Sequence, residues 1–325
     1  MNCRWIPAFL LGITLGLGAC TSAPAPGGTS SPAVEAPSLE SPTARSVSTS
    51  SPNTATPPST PAASDTASSA AAASPVPPTP APTSLPCWSS GGHIETGELR
   101  TELLRLPLEF RVYLPPCYRE QPDRRYPVLF LIHGQSYNDD QWDRLGADET
   151  VDALIAAGEV PPFIIVMPRD RVWSQPTEDP FGQAVAEALL PWIDETYRTQ
   201  PERASRAVGG LSRGAGWAIH LGLSRWELFG AIGAHSLPVF WTDLPHLRAW
   251  LDAIPEQELP RIYMDLGDKD RPQISRSAIW FEALLTEKNI PHEWHLYSGY
   301  HEEAYWEAHL EEYLRWYGRG WQVEE

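Results

Sequence analysis

Three residue types that together support nucleophilic catalysis occur in this chain in the order Ser, Asp, His. Ser212 lies between Gly210 and Gly214 in the run "GLSRG", just after a short apolar stretch. A serine hydroxyl barely ionises near neutral pH, so it needs a general base, and that base needs an acid to orient it. Asp270 and His301 follow in the required order, each after a later apolar run. The sequence therefore predicts Ser212 as a nucleophile, His301 as its base and Asp270 as the acid.

The acid and the base both have alternatives. Asp268 lies on the same loop as the chosen acid, and Asp265 lies within the preceding strand pattern, which is typical of a buried structural carboxylate. His292 and His295 are alternatives for the base, but their place on a strand favours a surface or core role. The chosen histidine instead follows a glycine on a loop that leads into a helix, so it can reach over the edge of the sheet.

Acyl transfer through a serine also needs N–H donors for the oxyanion that forms on the attacked carbonyl group. The backbone N–H of Arg213 is one candidate, since it directly follows the nucleophile at the start of a predicted helix. The second candidate is the backbone N–H of Gln135, in the loop "HGQSY" after the first buried strand. We interpret His133 as a residue that shapes this loop rather than as a catalyst.

The substrate pocket is harder to predict from the sequence. Two loops that follow strands, residues 171–181 and 236–245, carry Trp173, Phe240 and Trp241. These three side chains could line an aromatic pocket next to the nucleophile. Packing in the core or in a lid is an equally good interpretation of each of them, because large aromatic side chains are usually buried.

Other kinds of binding site are disfavoured. The runs "HEWH" and "HEEAYWEAH" lack a convincing set of metal ligands, and Glu302 and Glu303 are interpreted as acids in the first turn of a helix. We therefore expect no metal and no cofactor. The chain has a net charge of −17, which disfavours nucleic acid as a partner, because phosphate contacts need clustered Lys and Arg.

Alternating strands and helices must position these residues. Six nearly continuous apolar runs indicate strands covered on both faces, as parallel strands are. Between them, apolar residues recur with a period near 3.6, for example around Leu154, Leu189 and Leu310. This alternation predicts an α/β fold with a mostly parallel central sheet and helices on both faces, which binds ligands at the carboxyl ends of its strands. The predicted strands are residues 126–134, 162–168, 205–212, 228–236, 261–267 and 293–299.

The chain divides by composition into three segments. Residues 1–20 contain Arg4, an apolar run too short to span a bilayer, and an ending "LGAC" that resembles the lipobox of bacterial lipoproteins, in which Cys20 would be lipidated. An ordinary signal peptide and an uncleaved anchor are the alternatives. Residues 21–86 have no aromatic residue and are mostly Ser, Thr, Pro and Ala, which predicts a disordered linker. Residues 87–325 are predicted to form one exported domain, anchored on the extracytoplasmic side of a membrane.

Cys87 and Cys117 are the two cysteines of the predicted domain. In an exported domain a disulfide between them is favoured over two buried thiols. They lie symmetrically about residue 102, in the polar run "ELRTE". A hairpin that turned there would bring the two cysteines together.

Five blocks of the sequence, in order, resemble the putative-esterase family of α/β-hydrolases: "RVYLPPCY", "YPVLFLIHG", "GGLSRGAG", "YMDLGDKD" and "HLYSGYHEEAYWEAHLEEYLRW". That family includes enzymes similar to esterase D, enterochelin esterase and feruloyl esterase, and also the mycolyltransferases. The resemblance covers nearly all of residues 92–317. It implies an α/β-hydrolase fold in which Ser212, Asp270 and His301 are the nucleophile, the acid and the base.

Two positions depart from the family pattern. Cys117 stands where the family usually has glycine after "LPP", which supports the extra disulfide. Arg213 stands where a smaller or apolar residue is common. We expect its backbone N–H to act as a donor all the same, and its charge to favour substrates with a nearby anionic group.

Together these observations predict a tethered, exported serine esterase that cleaves a carboxylic ester through an acyl-enzyme. An acyltransferase that passes the acyl group to a sugar or lipid hydroxyl is the nearest alternative, since it would use the same intermediate. A surface lipoprotein that binds a glycan or a partner without catalysis is the other. We expect a small-molecule or glycan-linked ester as substrate and contact with the membrane through the N-terminal lipid.

Overall fold

The structure is a computed structural model of the chain, and it describes residues 86–321. Within these residues the strands are β1 (His93–Leu99), β2 (Leu108–Leu114), β3 (Val128–Ile132), β4 (Ile164–Pro168), β5 (Arg206–Leu211), β6 (Ala231–His235), β7 (Arg261–Gly267) and β8 (Glu293–Tyr297). They form one sheet in the order β1-β2-β4-β3-β5-β6-β7-β8. The pairs β1 with β2 and β2 with β4 are antiparallel, and all the other pairs are parallel.

The six predicted strands are β3 to β8, so the prediction of an α/β fold with a mostly parallel sheet is confirmed. The strands β3, β4, β5 and β6 are buried along their whole length. In β3, Phe130 packs into the core on one face of the sheet, while Leu129 and Leu131 pack into the core on the other. Both faces are covered, which is why these strands are apolar at every position rather than at alternate ones.

Helices cover both faces of the sheet, as predicted. They are α1 (Gln141–Arg144), α2 (Ala147–Ala156), α3 (Phe181–Ala184), α4 (Leu190–Thr196), α5 (Arg213–Ser224), α6 (Leu247–Ala253), α7 (Pro272–Glu287) and α8 (Glu303–Arg319), with a π turn over Val185–Leu189 between α3 and α4. Buried side chains of α1, α2 and α8 pack on one face, and those of α3 to α7 pack on the other. The sequence-based predictions did not include α7, although Ile274, Ala278, Phe281 and Leu285 give it a buried stripe at helical spacing.

The predicted disulfide between Cys87 and Cys117 is present, with an Sγ–Sγ distance of 2.02 Å. The chain between the two cysteines forms the predicted hairpin from β1 and β2, whose register pairs Leu99 with Leu108. The turn therefore lies close to its predicted centre at residue 102. By the chain-entropy argument, closing a loop of this length stabilises the folded state by about 3.5 kcal/mol.

Several predictions fall on residues that the structure does not describe. The leader at residues 1–20, with Cys20, and the linker at residues 21–86 lie outside the described residues, apart from Pro86 at the boundary. The lipid anchor and the linker therefore stay predictions. Between residues 86 and 321, no helix has both the length and the apolar character that crossing a membrane requires.

Candidate active site

Ser212 occupies a sharp turn between β5 and α5, at the carboxyl end of a strand near the middle of the sheet. Its backbone has φ 51° and ψ −123°, a strained conformation for a residue with a side chain. The glycines on either side make the turn possible. A Cβ on Gly210 would collide with the backbone of Gly214, and a Cβ on Gly214 would collide with the carbonyl oxygen of Ile132. The turn has the geometry of a G-x-S-x-G elbow, which lifts the serine hydroxyl above the sheet edge.

His301 and Asp270 meet Ser212 at this edge. The Nε2 atom of His301 lies 2.9 Å from Ser212 Oγ, and its Nδ1 atom lies 2.8 Å from Asp270 Oδ1. The Nδ1 contact is close without being aligned as a hydrogen bond, which is common before a substrate binds. The side chains of His301 and Asp270 are 7% and 0% exposed. The structure thus brings together the three residues predicted as nucleophile, base and acid.

The loops that carry the acid and the base are joined by hydrogen bonds. The backbone N–H of Asp268 donates to Tyr297 O at 2.7 Å, and the N–H of Lys269 donates to Gly299 O at 2.9 Å. In return, Gly299 N–H donates to the Asp268 carboxylate at 3.0 Å. A Cβ on Gly267 would be 2.5 Å from Gly299 O, so the two loops are in close backbone contact. These contacts hold Asp270 and its histidine side by side.

The alternative acids have other partners. Asp268 binds the Gly299 N–H, as described above. Asp265 is completely buried in β7, with its Oδ1 atom 2.6 Å from Nδ1 of His235. Its Oδ2 atom accepts hydrogen bonds from the hydroxyl groups of Tyr305 at 2.6 Å and Tyr313 at 2.8 Å. Asp265 therefore belongs to a buried polar cluster between the sheet and α8.

Of the alternative histidines, His292 directly precedes β8 and His295 lies on it, and neither contacts Ser212. The Nδ1 atom of His292 is 2.8 Å from Ile290 O. The ring of His295 stacks on Tyr263, with centroids 4.9 Å apart. No group of three or more His, Cys, Asp or Glu side chains in the described part of the chain is placed to hold a metal ion.

The loop after β3 holds the peptide between Gly134 and Gln135 in a fixed orientation. The carbonyl oxygen of Gly134 lies 2.7 Å from His133 Nδ1 and accepts Tyr137 N–H at 3.3 Å. The Nε2 atom of His133 accepts the backbone N–H of Asp170 at 2.9 Å, so the ring carries its proton on Nδ1 and donates it to Gly134 O. Burial lowers the pKa of His133, which favours this neutral form. In a planar trans peptide the C=O and the N–H point in opposite directions. The contacts that hold the Gly134 carbonyl therefore also orient the Gln135 N–H.

The Arg213 guanidinium is buried and paired with Asp170, so its predicted role in favouring anionic substrates is wrong. It is 6% exposed, and its Nε atom donates to Asp170 Oδ2 at 2.6 Å. Its Nη2 atom donates to the carbonyl oxygens of Val172 and Ser174 at 2.8 and 2.7 Å. Trp217 Nε1 donates to the same Asp170 oxygen at 2.8 Å. The Nε and Nη2 atoms of the guanidinium therefore hold the loop after β4, and the backbone N–H is the group of Arg213 that was predicted to serve the site.

A cavity of about 470 Å³ opens at Ser212 and His301, and the two predicted oxyanion residues, Gln135 and Arg213, line it. Within residues 86–321, neither the Gln135 N–H nor the Arg213 N–H donates to another group. Both donors are therefore free for an oxygen atom bound beside the serine.

The three aromatic residues predicted for the pocket lie elsewhere. Trp173 and Trp241 are 58% and 63% exposed, and Phe240 is buried against Trp217, with ring centroids 5.1 Å apart. None of them lines the cavity at Ser212. The apolar part of the cavity wall comes instead from Tyr137, Pro238, Ile274 and Trp306.

Arg271 is a charged residue of the cavity that was not predicted. It is exposed, lines the cavity and directly follows Asp270. Its position next to the predicted acid was the signal in the sequence, since a neighbour of that acid must lie near the same opening. Arg271 is thus better placed than Arg213 to meet an anionic group of a substrate.

Asp179 lies beside the buried Arg213 guanidinium. It is 3% exposed, and its Oδ2 atom is 3.5 Å from Arg213 Nη2. Its Oδ1 atom accepts the N–H of Phe181 at 3.0 Å. Burial raises the pKa of Asp179 to about 6, because the loss of hydration outweighs the Phe181 N–H and the arginine. The folded chain therefore binds a proton at this carboxyl group more tightly than the unfolded chain does.

This raised pKa predicts that Asp179 destabilises the fold as pH rises. Between pH about 4 and about 6 the unfolded chain has released a proton that the folded chain retains, so the stability of the fold falls through that window. Asn at this position removes the titration. The quantity to compare is the unfolding free energy of the wild type minus that of Asp179→Asn. We expect this difference to be lower by about 2–3 kcal/mol at pH about 7 than at pH about 4. Urea denaturation at the two pH values measures it, and a pH-independent difference would contradict the assignment.

The sheet order, the elbow at Ser212 and the loops of Asp270 and His301 define an α/β-hydrolase fold. Within that class, the chain belongs to the esterase family described as "Putative esterase", whose profile matches residues 102–317. The matched segment begins in the turn between β1 and β2 and ends in α8, so it contains every residue of the site described above.

Curated relatives are similar over part of the chain. An endo-1,4-beta-xylanase/feruloyl esterase of Xylanibacter ruminicola is 30% identical over 173 residues, which are 50% of this chain and 23% of that protein. An esterase of Mycobacterium tuberculosis is 35% identical over 137 residues, 39% of this chain and 28% of that protein. In each case the aligned residues make up less than a third of the relative's own length.

A solved ferulic acid esterase has the same fold. It is 23% identical in sequence, superposes with a TM-score of 0.63, and the match covers 71% of this chain and 99% of that one. At this level of identity the similarity concerns the fold.

Proposed function

We propose that the protein is a serine esterase that hydrolyses a carboxylic ester through an acyl-enzyme on Ser212. The observation that carries the proposal is the arrangement at the sheet edge, where Ser212 Oγ lies 2.9 Å from His301 Nε2 and His301 Nδ1 lies 2.8 Å from Asp270. Membership of the esterase family supports it, as do relatives named as esterases.

The proposed reaction has two halves. In the first, His301 Nε2 takes the hydroxyl proton while Ser212 Oγ bonds to the carbonyl carbon, and Asp270 stabilises the imidazolium ion. The N–H groups of Gln135 and Arg213 donate to the oxyanion. The C–O bond of the ester then breaks, and the imidazolium proton passes to the leaving alcohol. In the second half, His301 takes a proton from a water molecule as its oxygen bonds to the acyl carbon. The bond from that carbon to Ser212 Oγ then breaks, the imidazolium proton returns to Oγ, and the acid leaves.

We propose a small-molecule or glycan-linked ester with a compact acyl group as the substrate. A cavity of about 470 Å³ is of the size that holds a small organic group. Its wall combines apolar side chains, such as Trp306 and Ile274, with the charge of Arg271. The feruloyl esterase relative makes an aromatic acyl group the first one to test.

We also propose that the protein acts outside the cytoplasm, anchored to a membrane by a lipid on Cys20. The support is the composition of residues 1–20 and of the linker that follows. The disulfide between Cys87 and Cys117 is consistent with export, because such bonds persist in oxidising compartments.

Trapping the acyl-enzyme tests the proposed function. The purified protein is mixed with p-nitrophenyl esters of graded acyl length, including a feruloyl ester, and sampled for intact mass within the first turnovers. We expect a burst of p-nitrophenol and a mass increase of one acyl group, located on the peptide that contains Ser212. Turnover that continues at the original rate after a fluorophosphonate has fully labelled Ser212 would contradict a covalent mechanism on this residue.

The same experiment separates the alternatives. An added sugar or lipid alcohol that diverts the product from the free acid to a new ester would indicate an acyltransferase. Glycan binding without turnover, and without any adduct, would indicate a binding lipoprotein. We expect water to be the main acceptor in both the presence and the absence of added alcohol.

A further inference from the structure

A buried glutamine joins the loop of the proposed oxyanion donor to the helix that follows His301. Gln141, the first residue of α1, is completely buried. Its Oε1 atom accepts the backbone N–H of Gly134 at 2.8 Å, and its Nε2 atom donates to Glu303 Oε1 at 3.0 Å. A neutral amide both accepts and donates, so this one side chain satisfies a different partner at each end.

Both ends of this bridge lie against the proposed reacting groups. Gly134 precedes Gln135 and packs on the elbow, where a Cβ on Gly134 would be 3.6 Å from Ser212 Cβ. Glu303 is the first residue of α8, two positions after His301. The bridge therefore links the segment that offers the oxyanion N–H to the segment that carries the base.

The two ends of the bridge have different surroundings. Trp142, the next residue of α1, donates its Nε1–H to Ile132 O at 3.1 Å, so α1 binds the backbone on both sides of His133. On the outer side, Arg144 Nη2 donates to the same Glu303 oxygen at 3.0 Å. The bridge thus runs from a partly exposed ion pair to a buried backbone N–H beside the nucleophile.

We propose that Gln141 and Glu303 are positioning residues, which hold the peptide between Gly134 and Gln135 at the distance from His301 that the transition state requires. The proposal rests on the proposed esterase function. Neither side chain touches the reacting atoms, and both act through the backbone of the oxyanion loop. Oxyanion stabilisation depends steeply on where the donor lies, so a displaced loop lowers kcat and leaves the ground-state binding of the ester nearly unchanged.

The experiment exchanges the two side chains. In Gln141→Glu the new carboxylate faces Glu303 as a like charge, and we expect kcat to fall by about 10- to 100-fold with KM within about 3-fold of the wild type. In the double variant Gln141→Glu with Glu303→Gln, the new glutamine donates to the new carboxylate, which also accepts Gly134 N–H. The bridge is remade with its groups reversed, and we expect kcat to rise at least about tenfold above that of the single variant.

Three further measurements make the result specific. Arg144→Gln is the matched control, because it removes a partner of Glu303 from the exposed side, and we expect kcat within about 2-fold of the wild type. Thermal melting identifies any variant that fails to fold. If Gln141→Glu does not fold, Gln141→Leu replaces it, because leucine adds no charge and removes both contacts. The rate at which a fluorophosphonate labels Ser212 is measured in parallel, since its phosphoryl oxygen occupies the oxyanion site and no substrate needs to be known.

Recovery in the double variant, in both kcat and labelling rate, supports the inference. A folded Gln141→Glu that keeps wild-type kcat, or a folded double variant no faster than the single one, overturns it while the proposed function stands. If the wild type is labelled at Ser212 but hydrolyses no ester, the proposed function fails and the labelling rates decide the inference. A wild type that is neither active nor labelled overturns both.

Discussion

Replacement of Ser212 by alanine is expected to lower kcat/KM for a p-nitrophenyl ester by about 10,000-fold or more. The reason is the loss of the only oxygen that lies 2.9 Å from His301 Nε2 in the described part of the chain. Without it no acyl-enzyme can form, and the remaining rate comes from water activated by the histidine. The glycines that fit the elbow are unaffected, so the variant should fold and bind the ester.

Ser136→Ala is the matched control for this prediction. Ser136 also lines the cavity and also has a positive φ, of 71°, but no hydrogen bond joins its side chain to His301. We expect Ser136→Ala to keep kcat/KM within about 3-fold, since only a cavity wall changes. Equal activity of the wild type and Ser212→Ala, measured on the same ester, would remove the basis of the proposed function.

Replacement of Asp270 by asparagine is expected to lower kcat by about 1,000- to 10,000-fold. In the proposed mechanism, the Asp270 carboxylate, 2.8 Å from His301 Nδ1, keeps the ring proton on Nδ1 and stabilises the imidazolium ion. An amide that turns its NH₂ group toward the ring favours the opposite tautomer, which cannot accept the serine proton on Nε2. Steady-state kinetics on one p-nitrophenyl ester measure the effect.

Asn substitutions at the two alternative acids complete this test. The Asp268 carboxylate accepts the Gly299 N–H, and we expect Asp268→Asn to lower kcat by less than about 10-fold. Asp265 is bound to His235 and two tyrosine hydroxyls in the core, so Asp265→Asn should act mainly on thermal stability. A loss of kcat in Asp268→Asn that matched the loss in Asp270→Asn would show that the acid had been assigned to the wrong residue.

The fold could be predicted because its signals are local. A strand buried on both faces must be apolar at every position, and "YPVLFLIHG" shows this without any knowledge of its neighbours. The elbow could also be predicted from the sequence, because the close approach of Gly210, Gly214 and the β3 backbone excludes every side chain at those two glycines. The order of strands then brought Asp270 and His301 to the same edge as Ser212.

The rest of the site could not be predicted, because it depends on the directions of individual side chains. Arg213 is adjacent to the proposed nucleophile in sequence, yet its guanidinium turns under the loop after β4 to reach Asp170. Phe240 was a candidate for the pocket and is part of the core. Gln141 and Glu303 are far apart in the chain and carry no motif, so only the packing of α1 against α8 brings them into contact.

The disulfide also determines how a pulling force would enter the domain. Tension applied to the chain before Cys87 passes through the sulfur–sulfur bond to Cys117, because that covalent path is shorter than the path along residues 88–116. The bypassed segment contains β1 and β2 and bears no load. An edge strand pulled from its own end opens one hydrogen bond after another, but here β1 cannot be peeled from the sheet in that way. If the predicted linker does tether the domain to a membrane, drag on the domain enters at Cys117, just after the end of β2, rather than at the start of the edge strand β1.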